Sequence, residues 1–170
     1  MPETSTPPPP PAPPPSFTDL DRVYKETDML YARLARGCGL SECAYWVMYS
    51  VLAQDEHPSR AATQRDIAER LSYTKQTLNS AVRSLAEKGL VVLSPAAGDR
   101  RSKEIRLTED GLAFARERIA PAMRVEARAF AKLTAAEQEE FVRLATKYAR
   151  AVHAEVEATG VPGRGGEVGA

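Results

Sequence analysis

Between Thr74 and Gly89 the residues sort into two chemistries by spacing alone. Leu78, Ala81, Val82 and Leu85 recur at three and four residues, so on a helix they share one face and must meet a core. Lys75, Gln76, Asn79, Ser80 and Arg83 fall on the other face, and the first acid within the run is Glu87. A solvated helix face usually mixes both signs of charge and sets Glu four residues before Lys. Here amides, a hydroxyl and cations stand together, with Thr74 ahead of them. These groups match base edges and phosphate oxygens: Gln or Asn to adenine, Arg or Lys to guanine or phosphate.

A second basic feature follows. Leu90 to Ser94 is β-prone, Pro95 to Asp99 supplies turn chemistry, and Lys103 to Leu107 alternates charged with apolar residues. Together they predict a β-hairpin. Its tip carries Arg100 and Arg101, which cannot be core, and a ribbon beside a reading helix can reach a minor groove whose negative potential attracts Arg. Asp99 is expected to pair with Arg101 and orient its guanidinium.

These two features need elements to hold them. Helix one starts at Phe17, with the stripe Leu20, Val23, Tyr24, Thr27, Leu30, Tyr31 and Leu34; Thr18 offers an N-cap and Gly37 a stop. Ser41 caps a second helix, Glu42 to about Gln54, apolar nearly all round and therefore buried on most sides. Asp55 to Ala62 reads as a loop, with an extended piece at Arg60 to Ala62. Thr63 and Asp66 form a capping box opening helix three, with Ile67, Ala68 and Leu71 inward, and Ser72-Tyr73 makes the turn into helix four, about Thr74 to Lys88. Thr108 caps a fifth helix predicted to run to about Ala131 with a kink at Pro121. Thr134 and Glu137 box the last one, with Phe141, Leu144, Ala145, Tyr148 and Val152 at helical spacing.

The formal net charge is zero, but the sum hides an asymmetry. From Ser59 to Arg106 ten Lys and Arg stand against five Asp and Glu, leaving 13 against 18 elsewhere. A positive middle segment is what an anionic partner requires. No apolar run is long enough to span a bilayer and the N-terminus lacks a signal-peptide pattern, so a cytoplasmic location without membrane partners is expected. Nine of the first fifteen residues are proline, so residues 1–16 are expected to be a disordered arm; five glycines from Thr159 to Ala170 suggest a flexible tail at 159–170. Cys38, Cys43, His57 and His153 form no metal-binding spacing, and no cofactor motif is present. With no paired carboxylates, activated nucleophile or phosphate loop in a convincing context, an enzyme is not expected.

The chain resembles the MarR family of winged helix-turn-helix regulators. Asp99, Arg101, Leu107, Thr108 and Gly111 fall at the family's wing spacing. Thr74-Lys75 and Leu85-Ala-Glu-Lys88-Gly89-Leu90-Val91 match its recognition-helix pattern. The resemblance implies a homodimer in which the first and last two helices intertwine, with helix four in the major groove and the Arg100-Arg101 wing toward the minor groove. The residues agree, since the stripes on the first and last helices exceed what a small core can cover alone. Relatives bind small aromatic or lipophilic anions in a crevice that Tyr31, Tyr45, Trp46 and Tyr49 are placed to line, although aromatics at helical spacing also serve as plain core. Other relatives sense oxidants through cysteine. Cys43 sits in the first turn of helix two, where the dipole can lower a thiol pKa, and Cys38 in the Gly37-Cys38-Gly39 link. Both differ from the relatives' usual position near the start of helix one, which favours small buried hydrophobes.

The expected fold is mainly α with a small β-hairpin wing. Residues 17–158 form the domain, with a winged core at about 42–107 and dimerisation helices at about 18–36 and 109–158. The expected activity is sequence-specific reading of double-stranded DNA by a homodimeric repressor that a small aromatic effector releases. The alternatives are a winged-helix protein-interaction module and a thiol-based redox sensor.

Overall fold

The computed structural model describes residues 13–55, 63–96 and 99–160. Nine elements follow in order: α1 (Phe17–Gly37), α2 (Glu42–Asp55), α3 (Gln64–Leu71), α4 (Lys75–Glu87), β1 (Val91–Ala96), β2 (Asp99–Leu107), α5 (Glu109–Arg118), α6 (Ala120–Phe130) and α7 (Ala135–Thr159). The mainly helical fold with a two-stranded antiparallel wing matches the expected class.

α2 forms the centre. Ala44, Tyr45, Val47, Met48, Val51 and Leu52 are all buried, so this helix is enclosed by α1, α4, α5 and β2. A helix apolar all round is stable only in that setting. Against it α4 sets Leu78, Ala81, Val82 and Leu85, each at most 5% exposed, and α3 contributes Ile67. Burying four such side chains fixes the rotation of α4 about its own axis, and with it the direction of its polar face.

Helix ends follow local chemistry. The capping boxes Thr63/Asp66 and Thr134/Glu137 are formed as expected. Helix one is corrected at both ends. Its N-cap is Ser16, boxed with Asp19; Thr18 has Asp21 at the same three-residue spacing, but the helix already begins at Phe17, which places Thr18 inside its first turn. Its stop is Gly39, at φ +68°, with Gly37 still inside the helix. The turn between α3 and α4 places Ser72 at φ 53°, and α4 ends with Gly89 at φ +70°. The single fifth helix is also corrected. The chain breaks at Ile119 and restarts as α6 with Pro121 in its first turn, where a missing N–H costs nothing, so the proline opens a new helix instead of kinking an old one.

The wing pairs Val91 with Leu107, Leu93 with Ile105 and Pro95 with Lys103, and the register slips between Pro95 and Ala96. A bridge between Thr63 and Glu104 ties the start of α3 to β2. Asp99 pairs with Ala96, so Arg100 and Arg101 belong to the start of β2 and not to the turn, a difference from the expected hairpin. The loop expected from Asp55 starts one residue late, since Asp55 ends α2; residues 56–62, including the extended piece at 60–62, lie outside the described residues, as do the arm before residue 13 and the tail after residue 160.

The family-spaced Thr108 and Gly111 gain a physical account here. Thr108 Oγ1 donates to Gly89 O at 2.6 Å and accepts from Gly111 N–H at 2.8 Å, while Thr108 N–H donates to Leu90 O at 3.2 Å. A Cβ on Gly111 would lie 1.8 Å from Leu90 O. The glycine lets α5 start directly against the α4–β1 corner.

The outer helices present the opposite picture. α7 has no buried residue over 25 positions; Phe141, Val142, Leu144, Tyr148, Val152 and Val156 are all exposed. On α1, Tyr31, Leu34 and Ala35 rest on the core, but Phe17, Val23, Tyr24, Met29 and Leu30 are exposed. No helix among the described residues is long and apolar enough to cross a membrane.

Candidate nucleic-acid interface

On α4, Lys75, Gln76, Asn79, Ser80 and Arg83 are exposed. At about 100° per residue they span an arc of about 140°, and the four buried residues fill the opposite arc. Core packing thus delivers the five polar side chains to one surface. The first turn carries no acid, so the positive end of the helix dipole stands unneutralised beside Lys75, a setting that attracts phosphate.

Thr74 plays a different part from the five. Its Oγ1 accepts from Thr77 N–H at 3.2 Å and lies 2.8 Å from Thr77 Oγ1. The hydroxyl is engaged as the N-cap, which fixes where the helix begins.

Gln64, at the start of α3, was not singled out from the sequence. Its Nε2 donates to Asn79 Oδ1 at 3.3 Å. That bond occupies an acceptor of the exposed Asn79 side chain. The α3–α4 packing creates the pair, and no local pattern around Gln64 announces it.

The wing adds exposed Lys103 and Arg106, the latter 2.8 Å from Glu104. The backbone of Asp99, Arg100 and Arg101 is in β2. Their side chains, and hence the Asp99–Arg101 pairing, lie outside what the structure describes.

The four aromatic residues do come together. Trp46 lies 4.6 Å from Tyr31, 5.3 Å from Tyr49 and 5.8 Å from Tyr45 between ring centroids. Tyr45 is fully buried, while the other three are half-buried. Sequence reasoning missed Glu126 of α6, whose carboxylate accepts from Tyr31 Oη at 2.5 Å and Tyr49 Oη at 2.6 Å. Burial, then the Glu126 hydrogen bond and charge, hold the Tyr31 phenol well above its usual range. Burial pushes Tyr45 up to about 12.

The two cysteines do not face each other as a reactive pair. Cys38 Sγ donates to Arg118 O at 3.6 Å, and Cys43 Sγ lies 4.0 Å from Thr77 O within the core. Burial pushes the Cys43 thiol up to about 11, with the Glu42 charge adding to it, and burial also raises Cys38. Desolvation outweighs the helix-dipole effect anticipated at Cys43.

Residues 45–102 match the MarR family model. That stretch contains α3, α4, β1 and the first four residues of β2. Over that stretch the chain is similar to the MarR family. HTH-type transcriptional repressors of Mycobacterium tuberculosis and Mycobacterium bovis are 33% identical over 89 residues, 52% of this chain and 64% of theirs. The chain therefore spans a little under two thirds of the length of these curated relatives. Among solved structures, S. aureus MepR in its DNA-binding conformation aligns with a TM-score of 0.68 at 22% identity, covering 81% of this chain and 98% of MepR. The MepR–DNA complex gives 0.65 at 21%, covering 81% and 96%. NMB1585, a MarR family regulator from Neisseria meningitidis, gives 0.64 at 22%, covering 82% and 97%. At these identities the structural likeness is one of fold.

Proposed function

We propose that this protein is a MarR-type, sequence-specific double-stranded-DNA-binding regulator of transcription that works as a homodimer, with repression as its mode. The observation that carries the reading is α4: one face is locked into the core by Leu78, Ala81, Val82 and Leu85, and the other presents Lys75, Gln76, Asn79, Ser80 and Arg83 with no acid in the first turn. The relatives named as repressors, and a fold neighbour solved on DNA, support it.

Dimerisation follows from the surface that one chain leaves open. The exposed apolar residues of α1 and α7 form stripes that water would otherwise solvate, and a second copy offers the same stripes for mutual burial. A two-fold pair sets its two α4 helices into successive major grooves, about 34 Å apart on a pseudo-palindromic site. The wing with Arg100 and Arg101 then approaches the flanking minor groove, and a small aromatic effector at the Tyr31, Tyr45, Trp46 and Tyr49 cluster alters the spacing of the two heads.

The test is titration of the full chain with labelled duplexes from around its own gene and with random duplexes, each at several salt concentrations. Specific binding should exceed random by a factor on the order of 10³ or more. Arg101→Ala should weaken both and lower the salt slope by about one, whereas Arg83→Ala should relax base preference at one position. Equal affinity for the two duplex sets would refute the reading.

A further inference from the structure

Gln64 and Asn79 meet across the turn that joins α3 to α4. Gln64 Nε2 donates to Asn79 Oδ1 at 3.3 Å, between residues 15 apart in the chain. Among the described residues this sets Asn79 apart from the rest of the α4 polar face: the side chains of Lys75, Gln76, Ser80 and Arg83 make no such bond there.

Both ends of the contact are held from below. Gln64 follows Thr63, which is 4% exposed, boxed with Asp66 and bridged to Glu104 of β2. Three residues on, Ile67 is buried in the core. Asn79 follows the buried Leu78. The core therefore sets where the two amides stand before any DNA arrives.

The contact bears on what Asn79 can read. An Asn amide has a donor side and an acceptor side, and turning it over exchanges them with almost no change of shape. In the major groove adenine presents an acceptor and a donor, guanine two acceptors and cytosine a donor. A lone amide can answer several of these by turning. With Oδ1 held by the Gln64 donor, Asn79 turns over only if Gln64 turns with it, since otherwise two NH₂ groups would meet. Water competes for this bond at the surface of the free protein, and a DNA partner that excludes the water strengthens it.

We infer that Gln64 is a positioning residue for base reading: it holds the Asn79 amide in one sense, so that α3 shares in setting the base preference of α4. This rests on the reading of α4 as the sequence-reading helix, and it names a residue outside that helix on which the preference depends.

The test is selection from a pool of random duplexes by the full chain and by its Asn79→Ala, Gln64→Ala, Gln64→Met and doubly substituted Q64A/N79A variants. The preference at each base pair is taken as a ratio within one protein, so any change in general phosphate grip cancels. Asn79→Ala should lower the preference at one base pair of each half-site about tenfold. Gln64→Ala and Gln64→Met, the second keeping the length of the side chain without its donor, should each lower it at that same pair by about threefold or more. The double variant should lie within about twofold of Asn79→Ala alone, because two residues acting as a unit do not add. Three results overturn the inference: preferences unchanged in either Gln64 variant, relaxation at a different base pair, which would make Gln64 a DNA contact in its own right, or losses that multiply in the double variant. An unaltered chain that selects no site refutes the regulator reading and the inference with it, whereas a selected site indifferent to Gln64 refutes the inference alone.

Discussion

Replacing Gly111 with alanine probes the joint between the reading helix and the wing. The new Cβ would stand 1.8 Å from Leu90 O, 2.8 Å from Leu90 C and 3.2 Å from Leu90 Cα, all backbone atoms. Ordinary contact needs about 3.4 Å or more, so α5 and the α4–β1 corner must part by well over 1 Å. Leu90 is poorly free to move: its N–H bonds Leu85 O at 3.0 Å and its carbonyl accepts from Thr108 N–H at 3.2 Å. Overpacking of this kind costs about 1–3 kcal/mol or more. Weakening the Thr108 bonds to Leu90 O and Gly89 O adds about 1 kcal/mol each. A total of about 3–5 kcal/mol would consume much of the 5–15 kcal/mol typical of a folded domain. The assay is urea unfolding followed by circular dichroism, wild type and variant at the same protein concentration because association shifts the midpoint. Gly37→Ala is the control: the position is helical with nothing within 4 Å, and the change should be neutral or stabilising by up to about 1 kcal/mol. A Gly111→Ala protein within about 0.5 kcal/mol of wild type would refute the close-approach account of this glycine.

Three further outcomes are expected. Phe141→Asp and Leu144→Asp, both on the exposed stripe of α7, should convert a dimer to a monomer in sedimentation velocity at micromolar concentration while leaving helix content unchanged; a monomeric wild type would remove the basis of that expectation. Thr63→Ala removes the capping box and should cost about 1 kcal/mol, read from the urea midpoint. The Cys43 thiol, pushed up to about 11 by burial, is almost wholly protonated at pH 7. Its reaction with a disulfide reagent in the native protein should therefore be slow and rise about tenfold per pH unit through pH 8–10, the thiolate being the nucleophile; fast, pH-independent labelling would contradict this.

Much of this protein could be read along the chain, because its signals are local. The split of Leu78, Ala81, Val82 and Leu85 from Lys75, Gln76, Asn79, Ser80 and Arg83 needs only the helical period, and the boxes at Thr63 and Thr134 need only three-residue spacing. The alternation after Lys103 and the glycine at 89 announced the wing and the end of α4. The errors were also local: two candidate caps two residues apart, two glycines flanking Cys38, and a proline that suits a helix start as well as a kink. Only the packed chain chooses among these.

Contacts across long sequence separations were decided by tertiary structure alone. Nothing near Glu126 marks it, since Tyr31 lies 95 residues away and Tyr49 77, yet its carboxylate accepts from both phenols. Gln64 meets Asn79 because α3 and α4 share a core, and Gly111 is required because α5 starts against Leu90. Periodicity and capping depend on near neighbours and are written in the sequence. Hydrogen-bond partners and close backbone approach depend on which distant segments meet, and that is determined when α2 is buried among α1, α3, α4, α5 and β2.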